Sequence, residues 1–232
     1  MIELHAVSVV IPAVRRDEPD RVLLDDITLS LSERRIAVVG ANGSGKSTLL
    51  RLLNGLRAPS SGRVSVDGLD TVRDAKAVRQ KVGFVFTDPL AQLLMSTPIE
   101  DVELSLQATI KDRRARIERA RQLLAERGIE RVAHQSIYDL SGGERQLVAL
   151  TSVLAVEPSV LVADEPTTLL DLRNKLAWRR TLAELDQQVI FSTHDLDVAA
   201  DADRVIVIDE GRVLADGEPR EAIAAYAGAM AR

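Results

Sequence analysis

"AVVGANGSGKSTLLRLLNG", residues Ala37 to Gly55, begins as one kind of structure and ends as another. The apolar run from Ile36 to Val39 reads as a strand buried on both faces. Leu49, Leu50, Leu52 and Leu53 give the closing part a helical apolar side, with Asn54-Gly55 as its stop. Between them, Gly40-Ala-Asn-Gly-Ser-Gly-Lys-Ser47 fits G-x-x-x-x-G-K-[ST]. Glycines let backbone N–H groups turn inward around phosphates, and the following helix adds its positive end. In that pattern Gly40, Asn42, Gly43, Ser44, Gly45, Lys46, Ser47 and Thr48 form a loop for the phosphates of a nucleotide. Lys46 should reach the β- and γ-phosphates, and the Ser47 hydroxyl should ligate Mg²⁺. A glycine-rich turn that matched by chance would need neither the buried strand before it nor the amphipathic helix after it.

Four more nearly all-apolar runs resemble that first strand: Val82–Phe86, Val160–Ala163, Val189–Phe191 and Val205–Ile208. Separated by helical patterns, they predict a parallel sheet covered on two sides. A different pattern, with Ile27, Leu29 and Leu31 alternating with polar residues, and Val64 and Val66 before Asp67-Gly68, predicts half-buried antiparallel strands. From Thr87 to Glu157 the reading is helical. Thr97-Pro98-Ile99-Glu100 has capping-box spacing, and Ile117, Ala120, Leu123 and Leu124 mark a helix face that stops at Gly128. The expectation is one α/β domain over residues 1–232. Its core with a β subdomain spans 1–87 and 157–225, and a helical subdomain spans 88–156.

The chain has 232 residues and a formal net charge of -5. Mild acidity argues against a dedicated nucleic-acid binder, whose phosphate contacts need a basic face. Without cysteine there is neither a disulfide nor a thiolate metal site. The N-terminus opens on an alternating strand pattern, not a signal peptide, and no apolar run reaches the ~20 residues of a membrane span. Any membrane role would come through a partner.

Two further stretches carry chemistry. In Val160-Leu-Val-Ala-Asp164-Glu165 a carboxylate stands at the tip of a buried strand, where Asp164 could hold a cation together with Ser47. Glu165 is placed to polarise an attacking water. In Leu140-Ser-Gly-Gly-Glu144-Arg-Gln146, Ser141 and Glu144 have capping-box spacing, and Gly142 and Gly143 expose backbone at a helix start. That reads as a second anion site in a chain that already has one, or as an ordinary capped helix; spacing alone leaves both open.

Taken in order, Gly40–Ser47, "LSGGERQ", "VLVADEP", "LLD" ending at Asp171 and "STHD" around His194 resemble the ATP-binding cassette (ABC) ATPases over about residues 2 to 225. The resemblance implies a P-loop NTPase fold: a RecA-like core, an antiparallel β subdomain and an inserted helical subdomain. In that family two cassettes enclose two ATP molecules, each between one subunit's phosphate loop (Walker A) and the other's signature. Ser141, Gly142, Gly143 and Glu144 would then face the γ-phosphate held by the partner. By the same resemblance Glu165, His194 and Lys46 are catalytic, Ser47 and Asp164 hold the metal, and Asp171 communicates across the dimer. Asp195 reads as a helix cap, and His5 and His134 match no motif.

The chain departs from the family pattern twice. Where many cassettes stack adenine on an aromatic residue, this one has Ile11, leaving apolar packing or Arg15 and Arg16 to hold the base. Where members have glutamine at the strand end before the helical subdomain, it has Thr87, two atoms too short to copy that reach. Gln92 is the nearest substitute. "DPLAQLL" resembles "NPDDQLF" of the ATPases of energy-coupling factor (ECF) vitamin and metal importers. By that likeness Leu93, Leu94 and Met95 line a groove for a helix of a transmembrane scaffold, the other reading being that they pack inside the helical lobe.

The function expected is therefore the ATP-hydrolysing subunit of such an importer, with biotin-type cargo a guess within the class. It would work as a homodimer, or with a paralogous ATPase, beside a scaffold subunit and a substrate-binding membrane subunit at the cytoplasmic face of the membrane. Two alternatives are a cassette acting on nucleic acid or ribosomes, which lacks support here (no long coiled-coil insertion, one phosphate loop), and a regulatory cassette with little or no turnover.

Overall fold

A computed structural model describes residues 1–13, 15, 19–168 and 170–231. Two sheets and an inserted helical lobe make up the fold. The first sheet is antiparallel, built from β1 (Ile2–Ile11), β2 (Arg21–Leu31), β4 (Ser61–Val66) and β5 (Leu69–Asp70) in the order β2-β1-β4-β5. The second runs β10-β9-β3-β8-β7-β6, from β3 (Arg35–Val39), β6 (Val82–Val85), β7 (Val160–Ala163), β8 (Gln188–Ser192), β9 (Arg204–Asp209) and β10 (Arg212–Gly217). It is parallel apart from the antiparallel edge strand β10.

The alternating strands bury Ile2, Leu4, Ile27, Leu29, Leu31, Val64 and Val66 against one face of the second sheet. Helix α1 (Lys46–Leu53) fills the space between the sheets with Leu49, Leu50, Leu52 and Leu53, all buried as the sequence predicts. The opposite face of the second sheet is covered by α5 (Gly142–Leu154), α6 (Leu172–Glu184) and α8 (Pro219–Met230), through Leu150, Leu154, Trp178, Leu182 and Ala222. The short helices α2 (Ala75–Lys81) and α7 (Leu196–Ala199) complete the core.

Between β6 and β7 the chain builds the helical lobe from α3 (Pro98–Ser105), α4 (Arg113–Glu126) and the first half of α5. Its core is its own: Val102, Leu106, Ala120, Leu124, Val132 and Val148 pack together, with Ile117 and Leu123 partly buried beside them. Pro98 starts α3 as predicted, but no capping box forms, because the Thr97 hydroxyl bonds the Glu100 carboxylate at 2.8 Å instead of a backbone amide. Helix α5 belongs to both cores. Val148 and Ala149 face the lobe, while Leu150 and Leu154 face the sheet.

Strand order and register place the site. Val85, Ala163, Phe191 and Ala37 stand level across β6, β7, β8 and β3. Thr87, Asp164, Ser192 and Gly40 therefore follow along one edge, outside the carboxyl ends of the strands, where open α/β sheets bind ligands.

Candidate nucleotide site

The phosphate loop is shaped by backbone that only glycine supports. Gly40 has φ 151°, and a Cβ there would lie 2.1 Å from the Ile208 carbonyl oxygen. Gly43, at φ 81°, has open space on its Cβ side, toward which a ligand can approach. Lys46 is only 5% exposed; its ammonium donates to the carbonyls of Gly40 (2.9 Å) and Ala41 (3.0 Å) and stands 3.8 Å from a Glu165 oxygen. The loop thus keeps its cation curled inside it. Ser44 Oγ is buried without a hydrogen-bond partner, and Thr48 lies in the first turn of α1.

Asp164 and Glu165 leave β7 in different directions. Asp164 is buried: its Oδ1 accepts the hydroxyls of Ser47 (2.9 Å) and Ser192 (2.8 Å). Hydroxyl and carboxylate are the hard oxygen ligands that Mg²⁺ takes. Among the described residues no cluster of three His, Asp, Glu or Cys could hold a metal alone, so this pair suits a cation that brings phosphate oxygens and water with it. Glu165 adopts φ 48°, unusual for a non-glycine residue and found here at the end of the strand. Its amide donates to Ser192 Oγ (2.9 Å), while its Oε2 lies 2.8 Å from His194 Nδ1 and accepts the Thr168 hydroxyl at 3.0 Å. The carboxylate is therefore aimed by two side chains and faces the Lys46 ammonium. Ser192 and Thr168 were missed by residue-level reasoning, although Ser192 opens the "STHD" stretch itself.

The signature helix starts some way off, on the lobe. Ser141 and Glu144 form the expected capping box: the Glu144 amide donates to Ser141 Oγ (3.3 Å) and the Ser141 amide to Glu144 Oε2 (2.8 Å). The Ser141 hydroxyl also donates to that carboxylate, at 2.7 Å, and Arg131 pairs with it at 2.5 Å. These bonds, Ser141's first and Arg131's after, hold the Glu144 carboxyl below its ordinary range. Gly143 is packed so closely that a Cβ would meet the Asn174 amide group at 2.5 Å. Asn174 belongs to α6, whose N-cap is Asp171, accepting the Asn174 amide at 2.8 Å. Asp195 caps α7, as the sequence suggests.

The junction that opens the lobe differs from expectation. Thr87 donates its hydroxyl to the Asp164 carbonyl oxygen (2.9 Å), which ties the junction to the backbone just after β7. Gln92 does not reach into the phosphate site: its Oε1 accepts the Phe86 amide (3.1 Å) and its Nε2 donates to the Ala149 carbonyl on α5 (3.2 Å). Leu93 is a correction. The turn Pro89–Ala91, closed by the Leu93 amide on the Pro89 carbonyl, swings this side chain into the lobe core, where it is 6% exposed and cannot line a groove. Leu94, at 76%, is exposed and lines a groove between sheet and lobe with Phe84, Leu104, Val153 and Val156. Met95 stands exposed beside it. Ile11 is exposed at the end of β1. Arg15 is exposed too, and Arg16 and Leu169 lie outside the described residues.

Comparison with known proteins shows the family to which the chain belongs. Residues 24–168 match the family model described as ABC transporter. The chain is 43% identical over 206 residues to the biotin transport ATP-binding protein BioM of Rhizobium etli, covering 89% of this chain and 92% of that one. It is 39% identical over 199 residues to the energy-coupling factor transporter ATP-binding protein EcfA1 of Halalkalibacterium halodurans, covering 84% and 71%. Among solved structures, the dimeric post-hydrolysis state of the ATP-binding cassette MJ0796 bound to ADP and Pi superposes with a TM-score of 0.84 at 31% identity, covering 95% of this chain and 99% of that one.

Proposed function

The chain belongs to the ABC transporter family as an ATP-hydrolysing cassette, and from that premise we propose that it powers an ECF-type importer, as a dimer beneath separate membrane subunits at the cytoplasmic face. The observation that carries this reading is the pairing, in one chain, of a complete phosphate loop and a capped Ser141 helix on a separate lobe, with a mostly apolar groove where that lobe meets the sheet. One chain can then supply both halves of two composite sites. No described helix is long and apolar enough to cross a membrane, and the proposal assigns that task to separate subunits. The names BioM and EcfA1 support the importer class, and biotin-type cargo is the reading nearest to the first of them.

In this proposal Gly40–Thr48 wraps the phosphates, and Lys46 exchanges its carbonyl partners for phosphate oxygens. Ser47 and Asp164 would hold Mg²⁺, which when bound neutralises charge on the phosphates. Glu165, aimed by His194 and Thr168, takes the proton of the attacking water; His194 Nε2 is left to the γ-phosphate. Ser141 of the second subunit must release Glu144 to donate its hydroxyl to the same phosphate. Ser192 holds both Asp164 and Glu165 in place, so Ser192→Ala should lower kcat about tenfold with a smaller change in KM, a typical loss for a supporting residue. Phosphate release measured over a range of ATP concentrations checks this.

Exposure separates the two leucines. Leu94→Asp should abolish copurification with a membrane scaffold while sparing ATP binding. Leu93→Asp should instead destabilise the fold by about 4 kcal/mol, since it removes a core leucine and buries a charge. If Leu94→Asp copurifies as well as the parent, the groove does not dock the scaffold. The regulatory reading draws on Ile11 and Thr87, and measurable turnover by the purified chain decides against it.

A further inference from the structure

Asp101 is a buried carboxylate for which the ATP chemistry has no use. It sits in the first turn of α3, 5% exposed, in the wall of the groove. Its Oδ1 accepts the amides of Leu94 (2.8 Å) and Met95 (3.2 Å), and its Oδ2 accepts the Ser152 hydroxyl (2.7 Å). Burying a charge is costly, and an apolar side chain would fill the same space more cheaply. What the carboxylate provides is a fixed geometry: the groove loop on one oxygen, helix α5 on the other.

A second tie runs in parallel, because Gln92 joins the Phe86 amide to the Ala149 carbonyl of the same helix. At its other end the loop is fixed to β7 by Thr87 on the Asp164 carbonyl. Helix α5 is continuous from Gly142 to Leu154. From Ser152 to Ser141 it runs about 16 Å as one rigid rod.

Building on the partner groove proposed above, we infer that Asp101 is a positioning residue: with Ser152 it forms a strut that carries displacement of the loop at Leu94 to the signature helix. A scaffold helix seated in the groove thereby sets where Ser141 stands. The mechanical path is short and made of charge-assisted hydrogen bonds, which keep their geometry better than apolar contacts do.

The absence of cysteine allows a direct test. Leu94→Cys is alkylated with a bulky maleimide that stands in for a groove occupant, and labelled and unlabelled proteins are compared. The label should lower kcat about fivefold or more while KM for ATP shifts less than about twofold. Adding Ser152→Ala should shrink the effect of the label to under about twofold, and Ser152→Thr, which keeps the hydroxyl, should restore it. Hydrogen exchange of the amides at the start of α5 should rise on labelling in the parent and not in Ser152→Ala, a readout independent of turnover. A label that acts equally with and without the Ser152 hydroxyl, or one that leaves α5 exchange unchanged in the parent, overturns the strut. Loss of turnover in the unlabelled proteins, with exchange still transmitted, would count against the ATPase assignment of the site and leave the strut standing.

Discussion

Glu165→Gln should bind ATP as the parent does and lower kcat by about 10²- to 10⁴-fold, the contribution of a well-placed general base. The surroundings make this substitution informative. Glutamine has the shape of glutamate, and its amide can still meet the Thr168 hydroxyl and the His194 ring, the two groups that aim the carboxylate. The backbone at φ 48° donates its Glu165 N–H to the Ser192 hydroxyl, a hydrogen bond in which the side chain takes no part. What disappears is the capacity to accept a proton. With hydrolysis blocked, ATP should accumulate between two chains, visible as a dimer by size-exclusion chromatography with multi-angle light scattering. Retained turnover would remove Glu165 from its role as base.

Lys46→Ala should raise the Kd for ATP by about 10²-fold, because a buried charge-assisted contact is worth about 1.5–3 kcal/mol and the ammonium serves more than one phosphate. Calorimetric titration with ATP measures it. In the free protein the substitution also leaves the Gly40 and Ala41 carbonyls without the ammonium that donates to them, so a melting curve is recorded beside the titration. Lys46→Arg should not rescue, since a planar guanidinium does not fit a pocket built around a compact ammonium. Unchanged affinity in Lys46→Ala would overturn the phosphate assignment.

How much of this was legible in the chain depended on range. The strand–loop–helix from Ile36 to Gly55 could be read outright, because four leucines and four glycines encode local geometry that packing does not override. The Ser141–Glu144 box was readable for the same reason, its partners being three residues apart. Leu93 was misread because three consecutive apolar residues have no period; which of them faces inward is decided by the turn at Pro89–Ala91. Gln92 and Thr87 have backbone partners remote in sequence, Ala149 and Asp164, and backbone groups leave no trace in residue identity. Asp101 looks like an ordinary acid in the first turn of a helix, favoured there by the helix dipole. Only the arrival of Ser152 from α5 shows it to be buried and engaged.

Helix α5, shared between two hydrophobic cores, also bears on how the molecule comes apart. Melting the lobe alone would strip Leu150 and Leu154 from beneath the sheet, so the lobe has no inexpensive unfolding of its own. Its stability is lent by the sheet, and the two melt as one cooperative unit. In the proposed cycle, in which motion passes through the lobe, that one shared helix protects the lobe from dissolving instead of moving.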